Sequence, residues 1–231
     1  MEKISISNVI EFKRKPQESK SKFINKIFKP KLKPEQKHDK GGGDYWIHSL
    51  SEIRKTFVSE NKDLIKNKLY ILNEKIDKAT AKISKDMFQR NIEILHNFED
   101  FNFSNLKPKF KLQYLPKPKD KSIIPIKGIP IQILPNHVFT YEDNNINKIG
   151  AIWFVSKLKE YNTAELGIFA EALFRYLEHH YSNDYKISSE FCTSVDVRNL
   201  NIVSYDKIIN NQDSSILNST LVSIREYLKN F

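Results

Sequence analysis

With 231 residues, of which 39% are hydrophobic and 12% aromatic, the chain can hold one domain of about 150 to 190 residues plus a tail, with a core that needs no staples. One cysteine excludes a disulfide framework, no apolar run approaches the roughly 18 residues of a membrane span, and the N-terminus lacks a signal peptide's apolar stretch, so a cytoplasmic protein without a transmembrane segment is expected. The net charge of +10, from 38 Lys and Arg against 28 Asp and Glu, excludes an acidic protein and points to an anionic partner, although a lysine- and asparagine-rich composition raises charge by itself.

Residues 1–44 carry 12 basic and 6 acidic side chains, which makes this the most basic part of the chain. Ile4, Ile6, Val9 and Ile10 alternate as in a strand that adds to a sheet edge, and Lys13, Arg14 and Lys15 follow as a basic run closed by Pro16. An unstructured leader fits the same residues. Phe23, Ile24, Ile27 and Phe28, set among Lys22, Lys26 and Lys29, read as a short basic amphipathic helix that orders only on a partner. Pro30, Pro34 and Gly41-Gly42-Gly43 form a hinge. The expected division is a basic, disordered tail over 1–43 and a single α/β domain over 44–231.

Residues 44–100 read as helical and contain neither proline nor glycine. Ser49 with Glu52 has the spacing of a capping box, and Asn61 suits a second N-cap. Ile65, Leu69, Leu72, Ile76, Ala79, Ile83 and Phe88 then sustain one stripe, so the segment predicts two helices, the second long. A stripe this narrow packs on an edge of the core or, over 62–98, on a protein partner. From Lys107 to Lys121 the basic residues Lys107, Lys109, Lys111, Lys117, Lys119 and Lys121 face a single acid. Phe110, Leu112 and Tyr114 alternate with them, which describes an edge strand with one basic face or a surface for a phosphate backbone.

The clearest order of elements lies between Gly128 and Val197. Ile129, Ile131 and Ile133 alternate, Val138 to Tyr141 is β-branched and aromatic, Glu142 to Asn147 is a polar turn, and Ile149 to Val155 is apolar enough for a buried central strand. Asn162 and Glu165 make a second capping box, after which Leu166, Phe169, Ala170, Leu173, Phe174 and Leu177 define a helix over 163–181. Phe191 to Val197 reads as a strand holding Cys192 as a buried, inert thiol, a hairpin leads into Ile202 to Tyr205, and Asp213 can cap a last helix over 213–229. The fold class is α/β, a mixed sheet over 107–206 flanked by helices.

Several chemistries lack their residues. The three glycines follow no strand and no GK[ST] ends them, one cysteine and six scattered histidines offer no zinc spacing, and no GxSxG is present. His179 and His180 fall at a helix end, where they suit its macrodipole.

The order helix, three strands, helix, strand, together with Pro135-Asn136 and the apolar strand carrying Ala151 and Trp153, resembles the PD-(D/E)XK nuclease superfamily over about residues 44–197. The resemblance implies a restriction-endonuclease-like core behind a long N-terminal helical segment. It places Asn136 where the family has a metal-binding acid, and Ala151 and Trp153 where it has an acid and a lysine two residues apart on one strand face. Neither alanine nor tryptophan can hold Mg²⁺ or act as a base there, so the resemblance implies a degenerate member without cofactor or metal. It binds nucleic acid or a partner subunit in a bacterial defence or DNA-processing complex. Two alternatives stay open: a Mg²⁺-dependent nuclease whose catalytic residues have migrated to Glu142, Asp143, Lys157 or Glu171, and a protein–protein adaptor that binds no nucleic acid. For nucleic acid the candidate contacts are Lys13, Arg14 and Lys15 with the six lysines of 107–121.

Overall fold

The computed structural model describes residues 2–28, 45–116, 122–210 and 215–229. Its centre is a five-stranded mixed sheet in the order β2-β5-β6-β7-β8, formed by β2 (Gln113–Tyr114), β5 (His137–Asp143), β6 (Ile146–Val155), β7 (Lys186–Asp196) and β8 (Asn201–Ser204). The first three strands are antiparallel neighbours, β7 runs parallel to β6, and β8 returns antiparallel beside β7. The parallel step needs a crossover, supplied by α6 (Thr163–Tyr181).

The continuous apolar run of β6 is explained by burial on both faces. Ile149, Ala151 and Val155 point into one hydrophobic core while Ile152 and Phe154 point into another, so alternation is hidden by having no solvent side. Gly150 lies where β7 bulges, between its Ile187 and Cys192 pairings. A Cβ there would stand 2.8 Å from the Phe191 Cβ, so the close approach of the strands requires glycine. The polar turn before β6 is the two-residue Asn144-Asn145, with φ of 51° and 61°, the left-handed pair that suits a tight hairpin.

The first core lies under α6, whose capping box is formed as the sequence predicts: the Asn162 side chain accepts from Glu165 N–H and the Glu165 carboxylate accepts from Asn162 N–H. α8 (Ile216–Lys229) packs beside it through Leu217, Leu221 and Ile224, and the proposed cap Asp213 lies outside the described residues. The strand expected over Ile202 to Tyr205 is β8, and α7 (Tyr205–Asn210) follows it directly. Cys192 is fully buried, and burial pushes its thiol up, away from thiolate chemistry.

The second core holds three helices, not two: α3 (Ile47–Ser59), α4 (Asp63–Lys78) and α5 (Lys82–Glu99). The long stripe breaks at Ala79 and Ala81, both extended, so that α5 folds back on α4 without proline or glycine. Ile83, counted in the stripe, is 75% exposed at that turn. Ser49 is no cap. It lies inside α3, where its N–H and hydroxyl both donate to the buried Asn91 Oδ1 of α5 at 2.9 and 2.8 Å. Asn61 does serve the start of α4, its side chain accepting from Asp63 N–H.

The largest correction concerns the N-terminus. Residues 4–28 are part of the fold: β1 (Ile4–Ser5) pairs in parallel with β4 (Ile129–Gln132), which forms a hairpin with β3 (Ile123–Ile126), giving a small sheet β1-β4-β3. α1 (Ile6–Arg14) and α2 (Gln17–Phe28) follow. Ile6, Val9 and Ile10 have helical spacing, and with Ile4 and Phe12 they are at most 1% exposed in the first core. Enough apolar surface is buried to outweigh the ordering entropy that the lysines seemed to leave uncompensated. Residues 29–44, with the proline–glycine hinge, lie outside the described residues. Among the described residues no helix is long and apolar enough to cross a membrane.

Candidate functional site

The positions singled out by the nuclease resemblance fall at one end of the central sheet. Asn136 lies just before β5, where its N–H donates to Ile152 O at 2.9 Å and its amide oxygen accepts from Phe154 N–H at 2.6 Å. That oxygen is therefore occupied by a backbone bond of β6. Ala151 is fully buried, paired with Val138, and Trp153, two residues on, packs edge-on against Phe169 of α6 at 5.0 Å. The structure brings Asn136 beside Trp153 and leaves Ala151 in the core.

The migration candidates do not meet. Glu142 is exposed on β5, and Asp143 accepts from Lys148 Nζ at 2.5 Å near the Asn144-Asn145 turn. Lys157 lies beyond the opposite end of β6, bonded to Glu11 of α1. A ten-residue strand rising about 3.3 Å per residue separates the two ends by about 30 Å. Glu171, 2% exposed on α6, accepts from Arg175 and from the Ser215 hydroxyl, both at 2.6 Å. Among the described residues no three His, Cys, Asp or Glu side chains are placed to hold a metal ion.

The candidate cations divide sharply. Arg14 is committed: its guanidinium grips the Glu165 carboxylate at 2.6 and 2.5 Å and donates to the Lys159 and Glu160 carbonyls. Burial alone would raise the Glu165 carboxyl, but the Arg14 fork and the Asn162 N–H outweigh it and hold it below the usual range. Lys15 lies 3.6 Å from Glu11 and over the Phe23 ring. Lys107 is buried, paired with Glu60 at 2.7 Å and set 4.7 Å above the Phe57 ring. Lys13, Lys109 and Lys111 are exposed, and Lys117, Lys119 and Lys121 lie outside the described residues. Arg14, Lys15 and Lys107 each have a carboxylate partner: Lys15 has one a single helical turn away, while Arg14 and Lys107 have ones that a sequence cannot place beside them.

Three depressions run in series along α3. One of about 510 Å³ is lined by Lys107 to Leu112, Tyr114 and Val58; Phe110 stands 46% exposed on its rim, stacked on Tyr141 at 5.8 Å. Val58 is shared with a second, of about 610 Å³, bounded by Arg54, Lys55, Ser59 and His137. Arg54 is shared in turn with a third, of about 420 Å³, bounded by Ser5, Ser7, Gln132, Pro135 and Trp153. Among the described residues that line this path Glu60, paired with Lys107, is the one acid, and Glu52 behind it is bonded to Lys55 at 3.0 Å.

Arg54 is the residue that sequence reasoning missed. It reads as one polar position between Ile53 and Phe57 of a helix, and nothing local marks it. Its Nε is buried with no hydrogen-bond partner, and burial pulls its guanidinium below the ordinary arginine range. At the carboxyl end of the parallel pair, Asp196 is fully buried, and burial raises its carboxyl even though it accepts from Arg198 N–H at 3.1 Å and Tyr161 N–H at 3.4 Å. It fastens the loop between β6 and α6, as the Arg198 guanidinium does by donating to the Lys157 and Leu158 carbonyls. Compared with protein-family models, curated proteins and solved structures, the chain matches none.

Proposed function

We propose that this chain is a non-catalytic nucleic-acid-binding protein on a degenerate PD-(D/E)XK-like core. The observation that carries the reading is the groove along α3, lined by Lys109, Lys111, Lys55 and Arg54 with Phe110, Tyr114 and Trp153 among them. Cations that track a backbone beside aromatics on which bases stack are what a nucleic-acid strand selects. The groove ends at Pro135 and Trp153, the positions where the resemblance places a nuclease's metal site. The chain connectivity supports part of that order, since β5 and β6 are antiparallel neighbours and α6 crosses over to β7, parallel to β6; β4, the first strand of the expected meander, lies instead with β3 in the small sheet, so the single sheet expected over 107–206 is divided in two. Asn136 spends its oxygen on Phe154 N–H, and Ala151 and Trp153 offer no carboxylate, which favours binding without cleavage.

The test is fluorescence anisotropy with labelled single-stranded and duplex oligonucleotides at rising salt in EDTA, followed by incubation of the same strands with Mg²⁺ or Mn²⁺. Salt-sensitive binding without cleavage is the expected result. Divalent-dependent cleavage would return the nuclease alternative. An adaptor reading draws on the hairpin of α4 and α5, where Tyr70 is 67% and Ile83 75% exposed, and absence of binding even at low salt would favour it.

A further inference from the structure

We infer that the cavity around Arg54 is a metal-independent site for a phosphate group, in the place where a nuclease-like core would hold its ion. The identification of the phosphate with that of a nucleotide or strand rests on the proposed function; the oxyanion site itself does not.

The first observation is an arginine with an unmet need. Arg54 Nε is buried without a hydrogen-bond partner, on a half-buried side chain set between two depressions. Elsewhere the fold satisfies its half-buried arginines from within: Arg14 bonds Glu165, Arg175 bonds Glu171, Arg90 bonds the Tyr45 hydroxyl, and Arg198 bonds the Lys157 and Leu158 carbonyls. A buried Nε–H without a partner costs stability, and an oxyanion seated in the cavity would satisfy it together with the rest of the fork.

The second observation is the cavity it faces. Gln132 stands among the walls with its amide, Ser5 Oγ accepts from Asn8 N–H and the Ser7 side chain is bonded to Tyr161, and no acid lines the cavity to repel an anion. Arginine presents N–H donors in a planar fork that matches two oxygens of a phosphate. A volume of about 420 Å³ exceeds what a lone oxyanion fills and falls within the range of small-molecule sites. Trp153 and Pro135 give the remaining wall an apolar surface against which a base or sugar packs. Phosphate is favoured over a carboxylate because the cavity continues, through Arg54 itself, into the lysine-lined groove.

The probe is inorganic phosphate in EDTA, read as the melting temperature at constant ionic strength, with acetate as the comparison anion. The wild-type melting temperature should rise saturably with phosphate and not with acetate. Arg54→Met and Arg54→Gln should lose that rise while melting, without ligand, at or above the wild-type temperature, since each removes the buried, unpartnered Nε–H. A mononucleotide and a twelve-residue strand then separate the sources of the phosphate. Arg54→Met should weaken the mononucleotide by about 10- to 100-fold, the worth of a charge-assisted hydrogen bond. A phosphate response retained in both variants, an equal response to acetate, or a lowered melting temperature in both overturns the inference. Strand binding that depends on Lys109 and Lys111 while phosphate has no Arg54-dependent effect would sink this site and leave the groove standing. The reverse pattern would keep the site and remove the groove.

Discussion

Asn136 holds the end of the central strand by giving its amide oxygen to Phe154 N–H, and removing that oxygen strands a buried donor. Asn136→Ala should therefore cost about 1 to 3 kcal/mol in a urea titration, the usual penalty for an unsatisfied buried group. Asn136→Asp, which restores the Pro-Asp dipeptide, should create no Mg²⁺-dependent stabilisation, because neither Ala151 nor Trp153 adds a ligand. Glu165 makes a prediction in pH. Its carboxyl is held below the ordinary value of 4.5, so it binds a proton less readily folded than unfolded. The stability it contributes is present above about pH 4.5 and is lost as pH falls through the lower folded value. Glu165→Gln, which leaves the Arg14 fork facing a neutral amide, should destabilise by about 3 to 5 kcal/mol at neutral pH. The gap to wild type should narrow below pH 4.5, and urea midpoints measured from pH 7 down to pH 3 would follow it.

At the scale of elements, α1 joins the small sheet to the main core, and its loss should be felt throughout. Phe12 is 1% exposed, packed edge-on against Tyr227 of α8 at 5.6 Å and capped by the Lys20 ammonium at 5.1 Å. Phe12→Ala should cost about 3 to 5 kcal/mol, as large-to-small changes of buried aromatics do. A chain beginning at residue 29 should melt far lower or fail to fold, whereas a dispensable tail would leave the midpoint unchanged. This element also marks where sequence patterns stop being informative. α6 and β6 were legible because their signals are local: a capping box with a helical stripe, and an apolar run of strand length. α1 was obscured because Lys13, Arg14 and Lys15 dominate its end. The groups that neutralise Arg14 and cover Ile4 lie at Glu165 and Ile131, more than a hundred positions away. The division of 62–98 into α4 and α5 was illegible for another reason. Ala79-Thr80-Ala81 carries no breaker, and only the packing of Ile92 and Leu95 alongside Leu69 and Leu72 requires the turn. Of the site, the exposed Lys109 and Lys111 could be read directly, while Arg54 could not, since its meaning depends on β1, β4 and β6 converging on it.

For the molecule as a whole, the positive charge is redistributed by folding. Folding ties down two of the N-terminal cations among the described residues: Arg14 binds Glu165, and Lys15 joins Lys157 on Glu11. The Glu11 carboxyl is held below its usual range, first by the Lys157 hydrogen bond. Of the described cations that line the depressions, Lys55 is paired with Glu52 and Lys107 with Glu60, so the positive charge left open lies at Lys109 and Lys111 before β2 and at Arg54 of α3. Counterion release turns this into a measurement, because each lysine that neutralises a phosphate adds about 0.9 to the log–log salt slope on duplex DNA and about 0.7 on a single strand. Lys109→Ala with Lys111→Ala should flatten the duplex slope by close to 1.8 while leaving the melting temperature nearly unchanged, since both side chains are exposed. Lys13→Ala with Lys15→Ala should leave the slope where it was, because neither residue lines the groove. If the α1 pair flattens the slope and the pair before β2 does not, the strand runs over the N-terminal helices, and the groove along α3 is no nucleic-acid surface.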